Sequence, residues 1–150
     1  MKTIKTKVLS KLTNSLRCGE ICDDDLRFIL NNVMDIQNSN ECETLQCVCT
    51  CAVSVAYMIQ KVHPKHLFQS FFDKLAKVIS EFDVYLDAAD TTTDDEKLRL
   101  LEDFKNLATA YGNLMALDVG GTTLDSVCRD LVLQSAINDM IQSMMDTIDI

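Results

Sequence analysis

Seven cysteines and two histidines are the side chains of this sequence best equipped for chemistry. Cys18 and Cys22 stand four apart, as do Cys47 and Cys51, so each pair would share one helix face. Two such pairs could supply the four thiolates of a tetrahedral zinc site. Against that, the Cys-x-Cys-x-Cys run at 47, 49 and 51 lies inside an apolar stretch and not in a knuckle or turn. A free cysteine in such a place behaves as a small hydrophobe. The cysteine count is odd, nothing at the start reads as a secretory signal, and 150 residues can build a core without covalent staples. The expectation is free, packed thiols in a reducing intracellular compartment, cytoplasmic or nuclear, with no metal and no cofactor.

His63 and His66 flank Pro64 at a junction between two expected helices, where a cap or surface position is the ordinary role. Together with Cys51 they would make a nucleophile-and-base or metal cluster, yet no third orienting group stands at a recognisable spacing. The sequence holds no phosphate loop, nucleophile elbow or zinc-protease helix motif. Gly120-Gly121 is a lone glycine turn and no nucleotide fingerprint. The reading is therefore a protein that is not an enzyme, with no catalytic residue assigned.

Charge narrows the partners. The formal net charge is −9, from 23 acidic and 14 basic side chains, and such a surface repels phosphate backbones. The one local basic face, Lys2, Lys5, Lys7, Lys11 and Arg17, carries no aromatic residue on which a base could stack. Bulk nucleic-acid binding is not expected. The longest apolar stretch, Cys47 to Ile59, is interrupted by Thr50 and Ser54 and falls short of the roughly 20 residues a bilayer span needs. No membrane contact is expected.

The elements that must position these residues are helices. Hydrophobic residues make up 47% of the chain, with only 4 Gly and 1 Pro, too few turn formers for a sandwich or barrel. Six helices are predicted, as three antiparallel hairpins in one domain spanning residues 1–150. The first, about 3–17, places Ile4, Val8, Leu9, Leu12 and Leu16 on one stripe, with Gly19 just beyond its end. The second opens on Asp23-Asp24-Asp25, which suit the positive end of a helix dipole, and carries Leu26, Ile29, Leu30, Val33 and Met34. Asn40 and Glu43 have capping-box spacing for the third, about 41–62, which is apolar nearly all round and so belongs at the centre. Pro64 opens the fourth, whose apolar positions run from Leu67 to Tyr85 at three- and four-residue intervals. Thr93 and Glu96 form a second capping-box pattern for the fifth, which holds Leu98, Leu101, Phe104, Leu107, Ala108, Tyr111 and Leu114. Gly120-Gly121 breaks it, and Thr122 or Thr123 caps a sixth carrying Leu124, Val127, Cys128, Leu131, Val132, Ile137, Ile141 and Met144.

Residues 51–83 and 98–132 resemble the HEAT-type middle domain of the translation initiation factor 4G scaffold family, most closely the branch of nucleolar and splicing adaptors. The resemblance rests on Phe72, Leu75, Phe82, Asn106, Leu107, Tyr111, Leu114, Leu117, Val119, Leu124 and Leu131, together with the opening run 8–16. It departs at Gly120-Gly121, where that family has apolar turn residues. The resemblance implies a HEAT-like helical repeat acting as a protein-binding adaptor in translation or RNA processing, typically for a DEAD-box helicase. Stacked hairpins also leave apolar end faces through which two copies can pair as a homodimer.

A globular Bcl-like helical bundle of the virus type is the alternative, regulating apoptosis by taking a partner helix into a groove. Such proteins share the size, the acidity and the central apolar helix. Leu26, Leu30, Val33 and Asp35 also echo the spacing of the partner helix itself. The Asn-Trp-Gly-Arg motif of the cellular members is missing, and the chain contains no Trp. For an adaptor, the residues that core packing does not explain are Asp90, Asp94, Asp95 and Glu96. They form the densest acidic patch and are the expected partner-binding edge, suited to steering a basic surface.

Overall fold

The computed structural model describes residues 4–38 and 43–148. Helix α1, Ile4–Cys18, buries Val8, Leu9, Leu12 and Leu16 on its inner stripe. It stops at Gly19, whose φ of +74° is a left-handed conformation that glycine adopts without a Cβ clash. The side-chain amide of Gln69, from a later helix, donates to the terminal carbonyls of Leu16 and Arg17 at 3.1 and 3.2 Å. Helix α2, Asp23–Asn38, opens on its three aspartates, and Asp25 accepts from Lys11 of α1 at 3.0 Å. Ile29, Val33 and Ile36 are buried. Leu30 and Met34, expected on that same stripe, are exposed instead, because they sit just past the edge of the face that α2 turns inward.

Helix α3, Glu43–Lys61, is buried along most of its circumference and packs against α1, α2 and the last helix, α7, Leu131–Thr147. The cap expected at Asn40 lies outside the described residues. Helix α4, Lys65–Asp87, starts after Pro64 and buries Phe68, Phe71, Phe72, Leu75, Val78, Ile79, Phe82 and Tyr85, the periodic set that the sequence marks except for Leu67, which is half-buried. Helix α5, Asp94–Met115, meets it as predicted. Phe82 and Phe104 pack edge to face with centroids 5.9 Å apart, and Phe71 lies 5.4 Å from Tyr111.

The predicted sixth helix divides. Helix α5 is followed by a two-residue hairpin, β1 Asp118–Val119 and β2 Thr122–Thr123, paired antiparallel. Gly120 and Gly121, at φ +59° and +84°, supply the two positive φ values of a tight hairpin turn. A single turn of helix, α6 Leu124–Val127, then precedes α7, Leu131–Thr147. The break between them turns Val127, Leu131 and Val132, all expected inside, out to solvent, and Leu131 is 77% exposed. Asp130 starts α7 afresh by accepting the Leu133 N–H at 3.1 Å. Seven helices therefore stand among the described residues where six were expected.

The all-α class holds. Consecutive helices α2 and α3 pack together, as do α4 and α5, but the two most extensive contacts join α1 to α4 and α3 to α7. One continuous core of buried side chains runs through all of these contacts. No helix among the described residues is long and apolar enough to cross a membrane.

Candidate interaction edge

The acidic residues expected at the partner-binding edge lie together where α4 passes into α5. Asp90 is exposed in the connection, and Asp94, Asp95 and Glu96 are exposed in the first turn of α5. The local fold is built on two devices. The Ala88 carbonyl accepts from the Thr91 N–H and from the hydroxyls of Thr91 and Thr92, which folds the connection back on the end of α4. Thr93 then caps α5 by accepting the Glu96 N–H at 3.2 Å, as its spacing predicts. The three carboxylates that follow face the positive end of the helix.

Tertiary packing adds a feature that the sequence does not display. Glu96 forms one wall of an open cleft of about 290 Å³ between α4 and α5. Val84, Tyr85 and Leu100 give this cleft an apolar lining, while Glu81, Asp103 and Glu96 supply carboxylates against the single cation Arg99. Burial pushes the Glu81 carboxyl above the usual carboxylate range. The neighbouring Asp103, as hydrogen-bond partner and like charge, raises it further, against the opposing pull of Lys77. Val84 is 68% exposed beside them. Glu81 and Asp103 lie 22 positions apart and share no motif. The available signal was Val84, a valine off the apolar stripe of its helix.

Other groupings that the residue types allow do not assemble. Cys51 is fully buried within α3, whereas His63 and His66 are exposed at the α3–α4 junction. The His63 main-chain carbonyl is engaged by the Cys128 thiol at 3.0 Å. Cys47, Cys49 and Cys51 are packed, as expected, but Cys18 and Cys22 are exposed, a correction to the reading of these four paired cysteines as packing residues. They flank the turn between α1 and α2, outside the face that α1 buries. Among the described residues no three His, Cys, Asp or Glu side chains converge as metal ligands. The Leu26, Leu30, Val33 and Asp35 spacing does not form one outward stripe, since Val33 is buried and Leu30 and Asp35 are exposed. No known protein family, curated protein or solved structure matches this chain.

Proposed function

We propose that the chain is a non-catalytic adaptor that receives a basic protein surface at the α4–α5 edge. The observation that carries this reading is the Glu81–Asp103 pair. Glu81, partly buried beside apolar side chains, is raised by burial and by the like charge of Asp103, a repulsion that Lys77 at 3.9 Å offsets only in part. A lysine or arginine from a partner would relieve that repulsion, and the flanking Asp90, Asp94, Asp95 and Glu96 would steer it there. Exposed Val84 and Leu98 supply apolar contact around the charges. The resemblance to translation initiation scaffolds makes a lobe of a DEAD-box helicase the partner of choice, with a role in RNA processing or translation.

The test is association of a purified DEAD-box helicase with the immobilised protein at several salt concentrations. Replacing Asp94 and Asp95 by Lys is expected to slow association and flatten its dependence on ionic strength, while the unfolding midpoint stays close to that of the native protein. Equal association rates at low salt for the native and doubly substituted proteins would remove this edge from the interface.

One observation favours the Bcl-like alternative. Helix α3 is flanked by α1, α2 and α7, and the leading contacts join helices that are not sequence neighbours. Such cross-connected packing suits a globular bundle that takes up a partner helix. Binding of an amphipathic helical peptide that is insensitive to the Asp94 and Asp95 changes would support this reading over the first.

A further inference from the structure

Among the described cysteines, Cys18 and Cys22 are exposed, while Cys47, Cys49, Cys51 and Cys128 are buried. Cys18 is the last residue of α1, and the Cys22 carbonyl opens α2 by accepting the Leu26 N–H at 2.9 Å. Only Gly19, Glu20 and Ile21 separate them. The turn is anchored to its surroundings. The Gly19 N–H donates to the Ser15 and Leu16 carbonyls at 2.9 and 3.2 Å, and Gln69 of α4 fastens the Leu16 and Arg17 carbonyls. Both thiols are thus carried on held helix ends and not on a loose loop.

Helix register brings them to one side of that turn. The Lys11 ammonium of α1 reaches the Asp25 carboxylate of α2 at 3.0 Å and lies 4.9 Å from the centre of the Phe28 ring. Cys18 stands two turns beyond Lys11 on the same face of α1, and Cys22 stands one turn before Asp25. The helices run antiparallel through the Lys11–Asp25 contact, so both steps lead to the same end of their seam. There Cys18 and Cys22 line one open cleft of about 390 Å³, together with Ser15 and Asp25. Two solvent-exposed thiols on one cleft can exchange with a small disulfide and then close on each other.

We propose that Cys18 and Cys22 form a redox-sensitive dithiol, which a low-molecular-weight disulfide such as oxidised glutathione converts to a reversible intramolecular disulfide. The thiolate of one cysteine attacks a sulfur of oxidised glutathione and bonds to it. The glutathione S–S bond breaks, and one glutathione leaves as a thiolate that takes up a proton. The second cysteine, having lost its proton to solvent, attacks the protein sulfur of this mixed disulfide. It expels the other glutathione, whose thiolate also takes up a proton. The two cysteine sulfurs lose two electrons in all, and the glutathione disulfide is reduced to two thiols. Exposure leaves the bridge open to the reverse attack by reduced glutathione, so the crosslink is labile. When closed, it staples the end of α1 to the start of α2.

The experiment equilibrates the full chain with mixtures of reduced and oxidised glutathione near neutral pH, quenches with acid, blocks free thiols and digests with trypsin. Cleavage after Arg17 and Arg27 leaves both cysteines on one peptide, residues 18–27, where a bridge, two blocked thiols and a glutathione adduct differ in mass. The bridged peptide is expected to accumulate as the oxidised fraction rises and to disappear again in reduced glutathione, while the four buried cysteines stay reduced. Thiols this close in sequence can also bridge in an unfolded chain, so the same titration is run in urea. The folded chain is expected to favour the bridge about tenfold more, a midpoint about 30 mV more negative. Glutathione adducts without a bridge, a bridge between two chains, or a midpoint no lower than that in urea would overturn the proposal. Cys18→Ser is expected to stop at a mixed disulfide of Cys22 with glutathione. A Cys22 that stays reduced in that variant at high oxidised glutathione would overturn the exchange step.

Discussion

Tyr57 of α3 donates its phenolic proton to one carboxylate oxygen of Asp130 at 2.5 Å, while the other oxygen of that carboxylate caps α7. One side chain thus ends the α6–α7 break and ties the new helix to α3. The Tyr57 hydroxyl leads the effects that hold Asp130 below its ordinary range, followed by the Leu133 N–H. A depressed folded-state value adds stability above the unfolded carboxylate value, lost as pH falls through the folded one. Tyr57→Phe should therefore lower the urea midpoint at pH 6. The gap between the two proteins should close as the solution is taken into the acid range below about pH 4. A gap that persists in acid would assign the loss to packing.

Phe104 tests the α4–α5 contact. It is fully buried and meets the edge of Phe82. Phe104→Ala should destabilise by about 3–5 kcal/mol in denaturant unfolding, from lost transfer free energy and the cavity left behind. An unchanged midpoint would contradict the observed inner face of α5.

Tyr111 has the opposite character. Its ring packs on Phe71, but its hydroxyl is buried without a hydrogen-bond partner among the described residues. Tyr111→Phe should raise stability near pH 7 by about 1 kcal/mol, because an unsatisfied polar atom is removed. Burial first, and then Cys128 and Asp125, push the phenol up to about 12. A folded-state value raised above the unfolded one means stability that is intact below about pH 10 and lost as pH rises toward 12. The Phe variant should lack that part of the alkaline loss, on the order of 2–3 kcal/mol, when unfolding is followed across this range.

Gly19 should resist substitution for two reasons at once. Its φ is +74°, and a Cβ there would stand 2.9 Å from Gln69 Oε1. Gln69 is not free to retreat without losing its bonds to the Leu16 and Arg17 carbonyls. Gly19→Ala is expected to cost about 1–2 kcal/mol from the left-handed backbone alone. The steric part should appear as coupling in a double-mutant cycle with Gln69→Ala. Additive effects of the two substitutions would show that the contact relaxes freely.

Local and periodic features were legible in the amino-acid order. The stripe from Phe68 to Tyr85, the Thr93 cap, the glycine beyond α1 and the all-α class each depend on residues within a few positions of one another, where helix geometry dictates who meets whom. The acidic edge was legible for the same reason, being a run of neighbours. Which helix covers which face is a different matter. Leu30, Met34, Leu131 and Val132 are apolar and periodic, yet they are exposed, because burial requires a partner helix on that side and periodicity does not supply one. The division of the last helix turned on Asp130 competing as a cap within an otherwise continuous apolar pattern. Tertiary packing alone set Glu81 beside Asp103 and Cys47 beside Ser143, pairs that belong to different helices. The raised Glu81 carboxyl depends on desolvation and on a neighbour's charge within a few ångströms, quantities that exist only once the helices have closed on each other.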